Sequence, residues 1–160
     1  MLDTGTEAPA FSLPDHVGRE VSLDEFEGRR VVLYFYPRAD TPGCTTEACG
    51  FRDAYDEFEE RDAAILGVSD DPVEDLEAFA RKHDLPFPLL SDEDGSVSDA
   101  YDSYGEKTVF GNEVEGVFRN TYLIGPDGRI ERVYEGVSPE DHAAELLADI
   151  DELRDGDADS

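Results

Sequence analysis

Two cysteines, Cys44 and Cys49, stand five residues apart in one short segment of the chain. Cys44 follows a run of strand-forming residues and the breaker Pro42-Gly43, at the point where a helical pattern begins. The first turn of a helix presents free backbone N–H groups and the positive end of the macrodipole, and both favour a thiolate. Cysteines at such an end, or beside a cation, ionise well below the ~8.5 of a free thiol. The chemistry open to Cys44 is therefore nucleophilic attack. The competing use is that of most free cysteines, as small core side chains.

Cys49 has a different place on the helix. At ~100° per residue, Ala48, Phe51, Tyr55 and Phe58 share the stripe of Cys44, whereas Cys49 lies ~140° away beside Asp53, Asp56 and Glu60. A cysteine on an acidic stripe is either a second redox thiol or a passive residue covered by a loop. Five residues of intact helix separate two Cα atoms by ~7.5 Å of rise and ~8.7 Å overall. A disulfide tolerates only about 4.4–6.8 Å. A bond between the two thiols thus requires the helix to unwind from Cys44 to about Arg52, where Thr45, Thr46 and Gly50 are weak helix formers. Glu47, one turn from Cys44, either tunes that thiol or is a helix-start carboxylate favoured by the macrodipole, and the second reading is preferred.

The flanking elements must hold this segment. Phe11–Leu13 and Arg19–Leu23 flank Asp15-His16-Val17-Gly18 as a β-hairpin, and Val31–Tyr36 is β-branched and aromatic throughout, as a strand buried on both faces is. The helix from Cys44 runs to about Arg61, followed by a strand at Ala64–Ser69 and a helix from Pro72 to about His83. A short strand at Phe87–Leu90 and a brief helix at Val97–Tyr101 come next. Val117–Ile124 and Arg129–Glu135, joined by Gly125-Pro126-Asp127-Gly128, form a closing hairpin, and Pro139–Leu153 an amphipathic helix. The order predicts an α/β fold with a mostly parallel, two-sided sheet whose last hairpin adds antiparallel strands. One domain, residues 1–154, precedes an acidic tail at 155–160 that is expected to fray.

Composition bounds the partners. Asp and Glu number 41 against 13 Lys and Arg, a net charge of −28, and the lysines are Lys82 and Lys107 alone. Such a surface repels phosphate backbones, which argues against nucleic-acid binding. Nine Phe and seven Tyr argue for a packed core rather than disorder. Asp-rich, Lys-poor acidity spread along the chain fits a halophilic, salt-loaded cytoplasm; the alternative is an over-acidic protein of an ordinary cell. The apolar run Val31–Tyr36 falls far short of the ~20 residues of a membrane helix. Met1 to Gly5 lacks the pattern of a signal peptide, so a cytoplasmic location is expected. His16, His83 and His142 have no ligand spacing, and no Walker or dinucleotide loop is present, so neither metal nor organic cofactor is expected.

The run Tyr34-Phe35-Tyr36-Pro37 through Thr41-Pro42-Gly43-Cys44-Thr45-Thr46-Glu47-Ala48-Cys49 resembles the active-site segment of peroxiredoxins, in particular the peroxiredoxin Q or bacterioferritin comigratory protein branch. Ala8 to Asp15, Leu85 to Asp92 and Arg119 to Ile124 are similar to that branch's opening, middle and arginine-bearing strand, in the same order. One departure is Tyr104-Gly105, where the family commonly has tryptophan.

The resemblance implies a thioredoxin-like fold, a mixed central sheet flanked by helices, with an N-terminal β-hairpin extension. It implies a peroxidase acting on hydrogen peroxide and organic hydroperoxides without a cofactor. Cys44 would become a sulfenic acid and Cys49 would resolve it as a disulfide, which thioredoxin or a similar dithiol would reduce. The Thr41 hydroxyl and the Gly43 and Cys44 N–H groups would position the peroxide, and Pro37 would shield the sulfur. Arg119 would stabilise the thiolate and the developing charge, whereas by its own sequence context it reads as a strand-edge ion pair. Two other readings remain open, a general thiol–disulfide oxidoreductase and a non-enzymatic thiol chaperone or binding domain. The first normally has two residues between its cysteines, and here there are four. A monomer is expected, because no extension is suited to swapping between subunits.

Overall fold

The computed structural model describes residues 2–37, 42–109, 112–135 and 142–158. Its centre is the strand β3 (Arg30–Phe35), buried along its whole length. Side chains alternate across a strand, so Val32 and Tyr34 face one core while Val31, Leu33 and Phe35 face another. β3 pairs in parallel with β4 (Ala63–Ser69), and β4 in parallel with β5 (Leu89–Ser91). On its other edge β3 pairs antiparallel with β8 (Thr121–Ile124), which pairs antiparallel with β9 (Ile130–Tyr134). The five-stranded order β5-β4-β3-β8-β9 is the mixed sheet of a thioredoxin-like fold. A separate N-terminal hairpin of β1 (Ser12–Pro14) and β2 (Glu20–Ser22) turns at Asp15, whose carboxylate accepts the Val17 and Arg19 N–H groups, with Gly18 at φ 83.

Helices cover the sheet. α1 (Pro42–Asp53), α2 (Tyr55–Glu60), α3 (Val73–Lys82) and α5 (His142–Ala158) contribute Phe51, Phe58, Phe79, Leu146 and Ile150 to the core on the Val32 and Tyr34 side. On the far side Phe11, Val21, Tyr101, Val117 and Tyr122 pack under the hairpin and α4 (Ser96–Ala100). Gly67, opposite Tyr34 in register, leaves room for the tyrosine ring; a Cβ there would lie 2.8 Å from it.

Four expectations need correction. The single helix from Cys44 to Arg61 is two helices broken at Ala54, where the Glu57 N–H closes a tighter bond to the Ala54 carbonyl. Phe51 and Phe58 still meet across the break, ring centres 5.9 Å apart, so the apolar stripe survives it. The strand expected over Val117–Ile124 is also two pieces. Val117 ends β7 (Asn112–Val117), which pairs with β6 (Tyr104–Val109) in a ribbon outside the main sheet. That ribbon is missing from the pattern because Glu106, Lys107, Thr108, Glu113 and Glu115 interrupt apolar alternation. The strand expected at Phe87–Leu90 begins at Leu89, since Pro86 and Pro88 cannot donate to a ladder. Finally, the last helix, expected to end at Leu153, continues to Ala158. Residues 139–141, expected to open that helix, lie outside the described residues.

Candidate active site

The end of β3 delivers the chain through Tyr36 and Pro37 to the start of α1. Pro37 and Gly43 are half-buried, and Thr41 lies outside the described residues. Cys44 sits in the first turn of α1 with 1% of its surface exposed. The sheet behind it is aromatic: Tyr34 and Tyr36 stack at 5.4 Å, and Tyr34 meets Phe51 at 4.8 Å. Burial holds both tyrosine hydroxyls far above their ordinary ionisation range, so they remain neutral.

Among the described residues, the cation at the sulfur comes from far along the sequence. Arg119 lies between β7 and β8, in a turn rather than on the strand that the pattern suggested. That turn is held by the Phe118 N–H on the Ser103 carbonyl at 2.8 Å and by the Asn120 amide on the Ser103 hydroxyl at 3.1 Å. From it Arg119 Nη2 reaches Cys44 Sγ at 3.4 Å, and Nη1 donates to Glu47 Oε1 at 3.2 Å. A planar fork with fixed donors suits this double contact, which a lysine could not make.

Glu47 is the residue that sequence reasoning misplaced. Rather than simply meeting the helix dipole, it is 1% exposed, one turn along α1 and on the same face as Cys44. Burial pushes its carboxyl up to about 7, against the pull of Arg119. Its i, i+3 spacing from Cys44 was the available signal. Only the closing-in of Arg119 turns that position into a buried ion pair.

Cys49 points away from this cluster. It is half-buried, and its sulfur lies 3.8 Å from Nδ1 of His83, the residue that caps the C-terminus of α3. Both cysteines are free thiols on an unbroken α1. Among the described residues no three His, Cys, Asp or Glu side chains cluster as metal ligands would. No helix among them is long and apolar enough to cross a membrane.

Residues 4–133 match the AhpC/TSA family. Peroxiredoxin Bcp of Escherichia coli strain K12 is 46% identical over 141 residues, covering 88% of this chain and 90% of the relative. Peroxiredoxin Bcp of Bacillus subtilis strain 168 is 42% identical over 152 residues, covering 95% and 97%. Among solved structures, the bacterioferritin comigratory protein of Xanthomonas campestris, described for its alkyl peroxide reduction activity, superposes with a TM-score of 0.87 at 35% identity, covering 94% of this chain and 99% of that one. A cysteine-to-serine mutant of Xylella fastidiosa peroxiredoxin Q gives 0.91 at 33% identity, covering 96% and 98%. With a matching family model, relatives of this identity and a matching fold, this chain belongs to the AhpC/TSA family as a peroxiredoxin of the peroxiredoxin Q, or bacterioferritin comigratory protein, branch: a thiol peroxidase.

Proposed function

We propose that Cys44 is the nucleophile of this peroxidase and that its substrates are hydrogen peroxide and organic hydroperoxides. The observation that carries the reading is the Arg119 fork, 3.4 Å from the Cys44 sulfur on one arm and holding Glu47 on the other. The thiolate attacks one peroxide oxygen. The S–O bond forms as the O–O bond breaks, and the departing oxygen takes up a proton to leave as water or an alcohol. Arg119 stabilises the thiolate before the attack and the charge on the departing oxygen during it. The Gly43 and Cys44 N–H groups at the start of α1, with the Thr41 hydroxyl, orient the O–O unit; the resemblance to the family supports this assignment. Pro37 shields the sulfur from bulk water.

Glu47 fixes the guanidinium. Its carboxylate is fully enclosed while the Arg119 side chain keeps 19% exposure, so the pair presents its cationic side towards the outside. Cys49 then displaces hydroxide from the Cys44 sulfenic acid, giving a disulfide and water, and a dithiol such as thioredoxin restores both thiols. The protein works as a cytoplasmic monomer in this reading.

Peroxide consumption by two variants tests it. Cys44→Ser is expected to abolish reduction, and Cys49→Ser to permit one turnover per protein and then stall with thioredoxin as reductant. Equal multiple-turnover rates in the two variants would overturn the assignment.

A further inference from the structure

Cys49 meets an imidazole at the junction of α1 and α3. His83 Nδ1 faces its sulfur at 3.8 Å, and the His83 ring is held edge-on by Phe79 at 5.2 Å. Three residues along α1, Arg52 Nη1 donates to the His83 carbonyl at 2.8 Å, clasping this stretch of α1 to the end of α3. Between them Phe51 is completely buried against Tyr34, Phe58 and Phe87. The Cys49 end of the segment is therefore anchored on three sides, and the Cys44 end carries the poor helix formers Thr45 and Thr46.

We propose that His83 is a catalytic residue of the disulfide-forming step, which rests on the reading of Cys49 as the resolving thiol. Cys44 travels to Cys49, which stays beside its imidazole. His83 Nδ1, unprotonated in the tautomer with hydrogen on Nε2, takes the Cys49 thiol proton. The Cys49 sulfur attacks the Cys44 sulfur; the S–S bond forms as the S–OH bond breaks. The departing hydroxide recovers the proton from the imidazolium and leaves as water. One sulfur is oxidised, the other reduced, and no outside reagent enters. Among the described residues, Arg52 of α1 and the neutral Tyr34 hydroxyl of β3 act electrostatically on Cys49, and Arg52 in turn faces Asp53 and Asp84.

A merely structural contact predicts the opposite outcome. If His83 only tethered Cys49, its removal would ease unwinding and speed the disulfide step.

The test is rapid acid quench after one equivalent of hydrogen peroxide, with intact mass separating sulfenic acid (one oxygen gained) from disulfide (two hydrogens lost). His83→Gln and His83→Ala are expected to form sulfenic acid at the wild-type rate. Their disulfide step near pH 7 should slow by about a hundredfold, the lower end of what a positioned acid–base group contributes. The deficit should shrink as pH rises past the ~8.5 of a free thiol, and added imidazole should rescue His83→Ala. An unchanged or faster step, or a slowing equal at every pH and without rescue, would overturn the role of His83 while leaving Cys49 in place. A wild-type protein that stops at the sulfenic acid would overturn both assignments.

Discussion

Cys44 and Cys49 share one helix and lie five residues apart, yet the fold surrounds them differently. Cys44 is enclosed, with a guanidinium from 75 residues away at its sulfur and a buried carboxylate beyond it. Cys49 is half-buried, with an imidazole from 34 residues away. In the proposed cycle a permanent cation suits the thiol that attacks a small oxidant. A titratable ring suits one that must give up its proton only when the partner sulfur arrives. Helix position alone does not set the two thiols apart; the long-range contact at each sulfur does.

The largest expected effect breaks the Cys44 side alone. Arg119→Ala should lower the rate of Cys44 with peroxide by about 10²–10³, the usual cost of losing a charge-stabilising donor at a reacting centre. The fold should survive, because the enclosed Glu47 can take up a proton once its cation is gone. Mass-mapped iodoacetamide labelling at neutral pH should show Cys44 slowed and Cys49 unchanged. Equal slowing at both thiols would erase the distinction between the two sites.

Oxidation should join the two environments. The Cα separation of an intact helix exceeds what a disulfide spans, so the oxidised protein should have a shorter α1 and faster amide exchange from Cys44 towards Arg52. With Arg52 and Phe51 anchored, the gain should be greatest at the Cys44 end. Hydrogen exchange in the two redox states measures it, and full protection of that stretch in disulfide-bonded protein would refute the geometry.

A smaller effect separates the sites by pH. Glu47 is raised from 4.5 to about 7 by burial, so between those values the folded protein binds more protons than the unfolded chain. Its contribution to stability is then present at low pH and lost as pH rises through that window. His142, buried beside Thr121, is lowered from 6.5 to about 4 and acts in the opposite sense, costing stability as pH falls from about 6.5 to 4. Each is worth on the order of 3 kcal/mol. The difference between wild type and Glu47→Gln in denaturant titrations should therefore fall with rising pH, and that between wild type and His142→Gln should rise. Parallel curves for all three proteins would refute the burial of both groups.

The smallest effect is general. With a net charge of −28, the melting temperature should climb from low salt to molar potassium chloride as the Debye length shrinks to ~3 Å. Cys44 alkylation, set by an enclosed pair, should respond less to salt than Cys49 alkylation does. A flat melting curve would count against the salt-adapted reading.

Local pattern was enough for much of this molecule. The run from Val31 to Tyr36 announces a buried strand and the spacing of Ala48, Phe51 and Phe58 the buried face of α1; both take those places, whereas Pro42-Gly43, expected to break the chain, opens α1 itself. The same helix arithmetic shows that the two thiols cannot bond on an intact α1, because rise and rotation per residue are properties of the backbone itself. What the sequence could not decide was which charges meet. Glu47 is one of 41 acidic residues and Arg119 one of 13 basic ones, and nothing in their spacing pairs them. The ribbon β6–β7 and the turn at Phe118 to Asn120 bring Arg119 to Cys44, while the end of α3 brings His83 to Cys49. Periodicity records the conformation of neighbours in the chain, whereas these contacts arise only when distant elements pack around a common core.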